Sequence, residues 1–137
     1  MLQRQNKRAG VTVVECAVIF PLVLLLLAGT FIAGVGVFRY QEIAALAREG
    51  ARFASVRGAR YEFQTGKLAA TPKDVYEKAI LPKAVALDKT KLTYTVTWDP
   101  DNRQGGNVTV QVNYHWIPEG YLGGVQLSST STMLVSY

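Results

Sequence analysis

Between Cys16 and Phe38 the chain runs 23 residues without a charged side chain, CAVIFPLVLLLLAGTFIAGVGVF. As a helix at ~1.5 Å per residue this stretch covers about 35 Å, enough to cross a bilayer with some tilt. Nothing else in the sequence limits the fold as tightly, because a lipid-exposed segment must satisfy its backbone polar groups within itself. A cleaved secretory signal also places a basic stretch ahead of an apolar one, and small residues near Ala33 and Gly34 would suit such a cut. The apolar part of a signal is only ~7–15 residues, however, so a permanent single span is the preferred reading. Pro21 removes one backbone hydrogen bond inside the run and predicts a kink. Gly29, Thr30, Ala33 and Gly34 provide small-residue spacings that would let another helix approach. Glycine and proline are also common in membrane helices generally.

The charge distribution frames this run. The net charge is +5, but residues 1–10 carry Arg4, Lys7 and Arg8 with no acid, and residues 39–60 carry five arginines against Glu42 and Glu49. From residue 61 onward seven basic residues balance seven acidic ones. The excess therefore flanks the apolar segment, where it suits anionic lipid headgroups. A nucleic-acid partner is not expected, since the distal region is neutral and lacks a basic stripe interleaved with aromatics. Basic residues near the two ends of the span are about equal in number, so the positive-inside rule alone does not orient it. An N-terminus on the cytoplasmic side is preferred because Lys7 and Arg8 have no acidic neighbour.

One carboxylate interrupts the pattern. Glu15 directly precedes the uncharged run, where a charge is costly unless it reaches the headgroup boundary. It is a boundary charge, an ion or proton site, or a residue tied to processing next to Gly10. Cys16 is the only cysteine, which excludes an internal disulfide and a multi-cysteine metal site. It reads as a small buried hydrophobe, with lipidation or an intersubunit bond as alternatives.

Past the span, RYQEIAALAREGARFASVRGAR continues the helix. Ile43, Leu46, Ala47, Gly50, Phe53 and Ala54 recur at three- and four-residue steps and predict one apolar face. Gln41, Arg48, Arg52 and Ser55 fall on the other side, with Glu49 and Arg52 spaced for an i,i+3 ion pair. Gly50 costs a helix interior about 1 kcal/mol against alanine, which predicts close packing of another element there. Gly58 is the expected stop. Residues 59–70 read as a loop, and TPKDVYEKAILPK as a short helix over 71–81 with Thr71 as N-cap, Pro72 in the first turn and Asp74 at the capping-box position.

Three strands come next, at about 91–98, 107–116 and 125–136. Leu92, Tyr94, Val96 and Trp98 alternate in the first, and Val108, Val110, Val112, Tyr114 and Trp116 in the second. Val125, Leu127, Met133 and Val135 alternate in the third. Alternation at period two implies an antiparallel sheet with one covered face. The amphipathic half of the long helix is the available cover. The expected fold class is α+β: a long N-terminal helix, half membrane and half amphipathic, packed on about three antiparallel strands, with one short extra helix.

No catalytic set of residues stands out. His115, the only histidine, falls on the polar face of its strand. DPDN at 99–102 begins like a calcium loop but lacks the later glutamate and flanking helices, and reads as a hairpin turn. GVG at 34–36 is not followed by a phosphate-binding pattern. Neither a metal, nor a cofactor, nor an enzymatic activity is expected.

A basic leader, a glycine, four residues, a glutamate and a long apolar helix resemble the processing site of type IV prepilins; here these are Lys7–Arg8, Gly10, Val11–Val14 and Glu15. With VVECAVIFPLVLLLLAG, with AREGAR at Ala47, Arg48, Glu49, Gly50, Ala51 and Arg52, and with the terminal LSSTSTMLV, the chain resembles the TadE-like family. These are pilin-like minor pseudopilins of the tight-adherence pilus. Cys16 departs from the pattern, standing where the family often has an aromatic residue.

The resemblance implies a leader over 1–10, a membrane helix over 11–38, its amphipathic continuation over 39–58 and an extracytoplasmic domain over 59–137. It implies cleavage between Gly10 and Val11 by a prepilin peptidase, and pairing of the new Val11 amine with Glu15. It further implies other pilins or pseudopilins and the pilus assembly machinery as partners, and residence in a bacterial cytoplasmic membrane or in the pilus itself. The alternative is an unprocessed single-pass protein whose extracytoplasmic domain binds a partner or ligand.

Overall fold

The structure is a computed structural model that describes residues 6–118 and 123–136, with side chains described from Thr12 onward. Contacts between residues separate two units, Met1–Val35 and Gly36–Tyr137. Helix α1, Asn6–Ser55, runs through the first into the second. Its part in the first unit carries most of the apolar run, and among the described residues α1 is the one helix long and apolar enough to cross a membrane. Val14, Phe20, Leu25 and Phe31 are all exposed along it, as a lipid-facing surface requires. Thr30 satisfies its hydroxyl locally, donating to the Leu26 carbonyl at 2.8 Å.

The second unit has α+β architecture. After α1 come α2 (Ala59–Thr65), α3 (Pro72–Val75) with a π-helical turn at Tyr76–Ile80, and a 3-10 turn at Lys89–Lys91. Strands β1 (Leu92–Asp99), β2 (Asn107–Trp116) and β3 (Val125–Leu134) then form one antiparallel sheet in that order. In the register Val96 faces Val110, which faces Ser131. Val108, Val110 and Val112 are fully buried on one face of the central strand, while Thr93, Thr95 and Thr97 of β1 stay exposed on the other. The alternation therefore records a sheet covered on one side only.

The cover is the distal half of α1. Ile43, Leu46, Ala47, Gly50, Ala51 and Ala54 are buried at helical spacing against the sheet and the α3 region, which adds Val75, Ala79 and Ile80. A Cβ on Gly50 would lie 3.1 Å from Val110 Cγ1 and 3.4 Å from Ile80. The missing side chain is what lets the helix backbone approach both elements. Tyr76 stacks on Tyr94 of β1, with ring centroids 4.3 Å apart.

Several local expectations change. Ala51, which is absent from the predicted face, is buried; Phe53 is only partly covered and carries the Arg57 guanidinium 3.8 Å from its ring centroid. Ser55, expected on the polar side, is buried, because its hydroxyl donates to Arg52 O and its carbonyl accepts the Ser136 N–H at 2.9 Å. The expected 59–70 loop contains α2, closed at Gly66 in a left-handed conformation with φ 65. Helix α2 buries nothing, so no apolar period marks it in the sequence; it is held by Ala59 N–H donating to Asn102 O and by Arg60 donating to Gln104. The predicted capping box is present: Asp74 N–H donates to Thr71 Oγ1 at 3.2 Å and Thr71 N–H to Asp74 Oδ2 at 3.1 Å. Immediately after α3, however, the backbone widens into the π turn. Strand β3 ends at Leu134, after which Val135 bonds the Gly105–Gly106 turn through both its N–H and its carbonyl.

Gly50→Val pushes two methyl groups into space already held by Val110 and Ile80. We expect a loss of about 1–3 kcal/mol in chemical unfolding of the full chain in mild detergent, as overpacking of a filled core gives. Gly50→Ala should stay close to neutral, since its gain in helix propensity of about 1 kcal/mol opposes the crowding.

Candidate functional site

Two stretches carry the residues singled out by sequence: the start of α1 and the AREGAR segment. At the start, the backbones of Gly10 and Val11 lie within α1, while the side chains of Lys7, Arg8 and Val11, and Arg4 altogether, fall outside the described residues. Glu15 is exposed one turn beyond Val11 on the same helix. At i,i+4 spacing the two positions are neighbours on the helix surface, within reach of a side-chain contact. Cys16 is a free thiol on the exposed surface of the same helix, alongside the apolar side chains of the run.

The AREGAR segment works as an alternating device. Ala47, Gly50 and Ala51 face the core, and their small size sets how close α1 lies to the sheet. Arg48 and Arg52 point to solvent. Glu49, expected to pair with Arg52, instead meets Lys83 at 2.6 Å. The Lys83 hydrogen bond is the main cause holding the Glu49 carboxyl below the usual glutamate range; Arg52 adds only a longer-range attraction. Sequence spacing favours the local partner, but the turn after the π-helical segment brings Lys83 closer.

A second polar clamp lies two turns earlier on α1. Arg39 donates to the Ala86 carbonyl at 3.0 Å, and Glu42 Oε1 accepts the Ala86 N–H at 3.2 Å. Two side chains one turn apart thus grip both polar groups of one residue, pinning the 84–87 loop to the helix. The pattern R-x-x-E is visible in the sequence, but its target is 44–47 residues away, which no local signal specifies. Asp88 begins the next turn; its carboxyl is held below the usual range by hydrogen bonds from Thr90. Asp74 is likewise held low, by Lys78 first and then Thr71.

His115 is exposed on β2, as its alternation predicts, with Gly124 against its ring. An open cleft of about 430 Å³ is lined by Phe53, Arg57, Tyr61, Lys67 and Asp74 among others, but its one carboxylate is already taken by Thr71 and Lys78. Among the described residues no group of three or more His, Cys, Asp or Glu comes together.

The class these features define is a chain with one membrane-capable helix whose continuation carries a small α+β unit. Residues 10–52 match the model of a family described as TadE-like protein, the family that the span and the AREGAR phrase resemble. The match runs from Gly10 to Arg52, just under a third of the chain. No curated protein and no solved structure matches the chain.

Removing the Lys83 partner tests the Glu49 contact. A folded carboxyl held below its unfolded value adds stability above the ordinary glutamate range and loses it as pH falls through the folded value. In Lys83→Met, the Glu49 titration followed by carboxyl NMR should move up toward the ordinary range. Because the pair is substantially exposed, the accompanying loss near neutral pH should stay below about 1 kcal/mol.

Proposed function

We propose that this chain is a membrane-anchored, pseudopilin-like component of a Tad-type adherence pilus, processed after Gly10 by a prepilin peptidase. The carrying observation is the family match over 10–52, which begins at the glycine of the leader and includes Glu15, the apolar span and AREGAR. In support, α1 continues unbroken from that glycine through the span to the segment that packs on the sheet. A peptidase cut in such a helix frees a new end without disturbing the second unit.

The chemistry of that end explains Glu15. Cleavage creates an α-amino group at Val11, charged at or near neutral pH. Glu15 then lies in the first turns of the mature helix, where a carboxylate offsets the positive end of the macrodipole. Pairing of amine and carboxylate, within one subunit or between neighbours, offsets the cost of keeping each at the bilayer edge. The N-terminus faces the cytoplasm in this reading, the α+β unit lies on the other side of a bacterial cytoplasmic membrane, and other pilins or pseudopilins and the assembly machinery are its partners. The role is structural rather than catalytic.

Sequencing the N-terminus of the protein from its native membrane should return Val11. An intact Met1 on functional protein would overturn the processing and leave an unprocessed single-pass protein. Gly10→Leu should accumulate a precursor heavier by residues 1–10. Glu15→Ala should still be cut but reduce piliation scored by electron microscopy; unchanged piliation would remove the pairing role.

A further inference from the structure

Trp116, at the end of β2, lies directly on Gly36: a Cβ there would sit 2.7 Å from the indole Cζ3. Gly36 is not a residue of the polar continuation of α1 but one of the last three in the uncharged run Cys16–Phe38. This end of the sheet therefore reaches down to the level at which the apolar run finishes. We infer that it is seated in the headgroup region of the bilayer, with Ile117 and the Val85 loop as its contact surface and Trp116, only 7% exposed, packed directly behind them. The inference rests on the reading of α1 as a membrane span.

Three further observations support a lipid surface as the occupant. Large apolar side chains are exposed here on loops, where a water-facing domain gains nothing from them: Val85 is 87% exposed and Ile117 49%. The Arg39–Ala86–Glu42 clamp places the Val85 loop beside the first turn after the apolar run. Exposed cations share this end: Lys89 and Lys91 precede β1 beside Tyr114, whose hydroxyl accepts the Asp88 N–H at 3.4 Å. Lys91 pairs with Asp88, while Lys89 makes no ion pair among the described residues. Basic residues around exposed apolar groups match anionic headgroups. A neighbouring protein would be the competing occupant, but it has no reason to begin where the uncharged run ends.

The chain carries its own control. Trp98, the only other tryptophan, pairs with Val108, eight residues along β2 from Trp116. That separation is roughly 26 Å at ~3.3 Å per residue, well clear of the headgroup layer. The full chain is reconstituted in phosphatidylcholine–phosphatidylglycerol vesicles whose acyl chains are either normal or brominated close to the glycerol. Trp98→Phe, which keeps Trp116, should lose most of its emission in brominated lipid. Trp116→Phe, which keeps Trp98, should lose almost none; if that variant misfolds, the Trp98 signal is the difference between the unsubstituted chain and Trp98→Phe. Phe31→Trp on a background lacking both native tryptophans reports the span separately. Quenching there without quenching of Trp116 overturns the inference and leaves the span intact. Equal quenching of Trp98 and Trp116 also overturns it, because the unit would then lie on its side. No quenching in the Phe31→Trp chain overturns the span and the inference together.

Discussion

The absence of a side chain at Gly50 is the contact on which the second unit depends. With Val110 and Ile80 both within about 3.4 Å of where a Cβ would be, the backbone of α1 lies against the sheet and the α3 region at once. Small neighbours keep that approach continuous, since Ala47, Ala51 and Ala54 are also buried. A helix of leucines on this face would stand farther off and leave β2 poorly covered, because interiors are packed to near-crystalline density. The same line of approach carries down α1 to Gly36, where Trp116 closes the end of the sheet.

Around this contact the connecting segments are tied to α1 mostly through backbone groups. The Ala86 backbone is gripped by Arg39 and Glu42, the Ser55 carbonyl accepts Ser136 N–H, and just past the end of α1 Ala70 N–H donates to Arg57 O. Each bond satisfies a backbone group that would otherwise be left without a partner where water is partly excluded. They also mean that the helix connects mechanically to the start, middle and end of the second unit.

Much of this is legible locally. The apolar run, the buried series Ile43, Leu46, Ala47, Gly50 and Ala54, the Thr71–Asp74 capping box and the alternation of β2 are each written within a few residues and reappear in the structure. The departures have a common cause. Hydropathy ranks phenylalanine above serine and so puts Phe53 in the core and Ser55 outside; the C-terminal tail bonding to Ser55 and the Arg57 stack on Phe53 reverse them. Spacing matches Glu49 to Arg52, while a lysine 34 positions later takes it. Helix α2 has no apolar period to reveal it, and its start is held by the distant 102–104 turn.

The sequence alone is enough to define the class of molecule: one membrane-length helix, an amphipathic continuation and three alternating strands. These follow from periodicity and from the requirement that backbone groups in lipid be satisfied within their own segment. It also holds Gly10 and Glu15, the short linear motif on which the proposed processing rests. Only the folded chain fixes which residues of α1 meet the sheet closely, which partner each charge takes, and that Trp116 comes down on Gly36 at the end of the apolar run. Those outcomes depend on distances between residues far apart in the chain, and such distances are set only once the helix, the loops and the sheet compete for the same space.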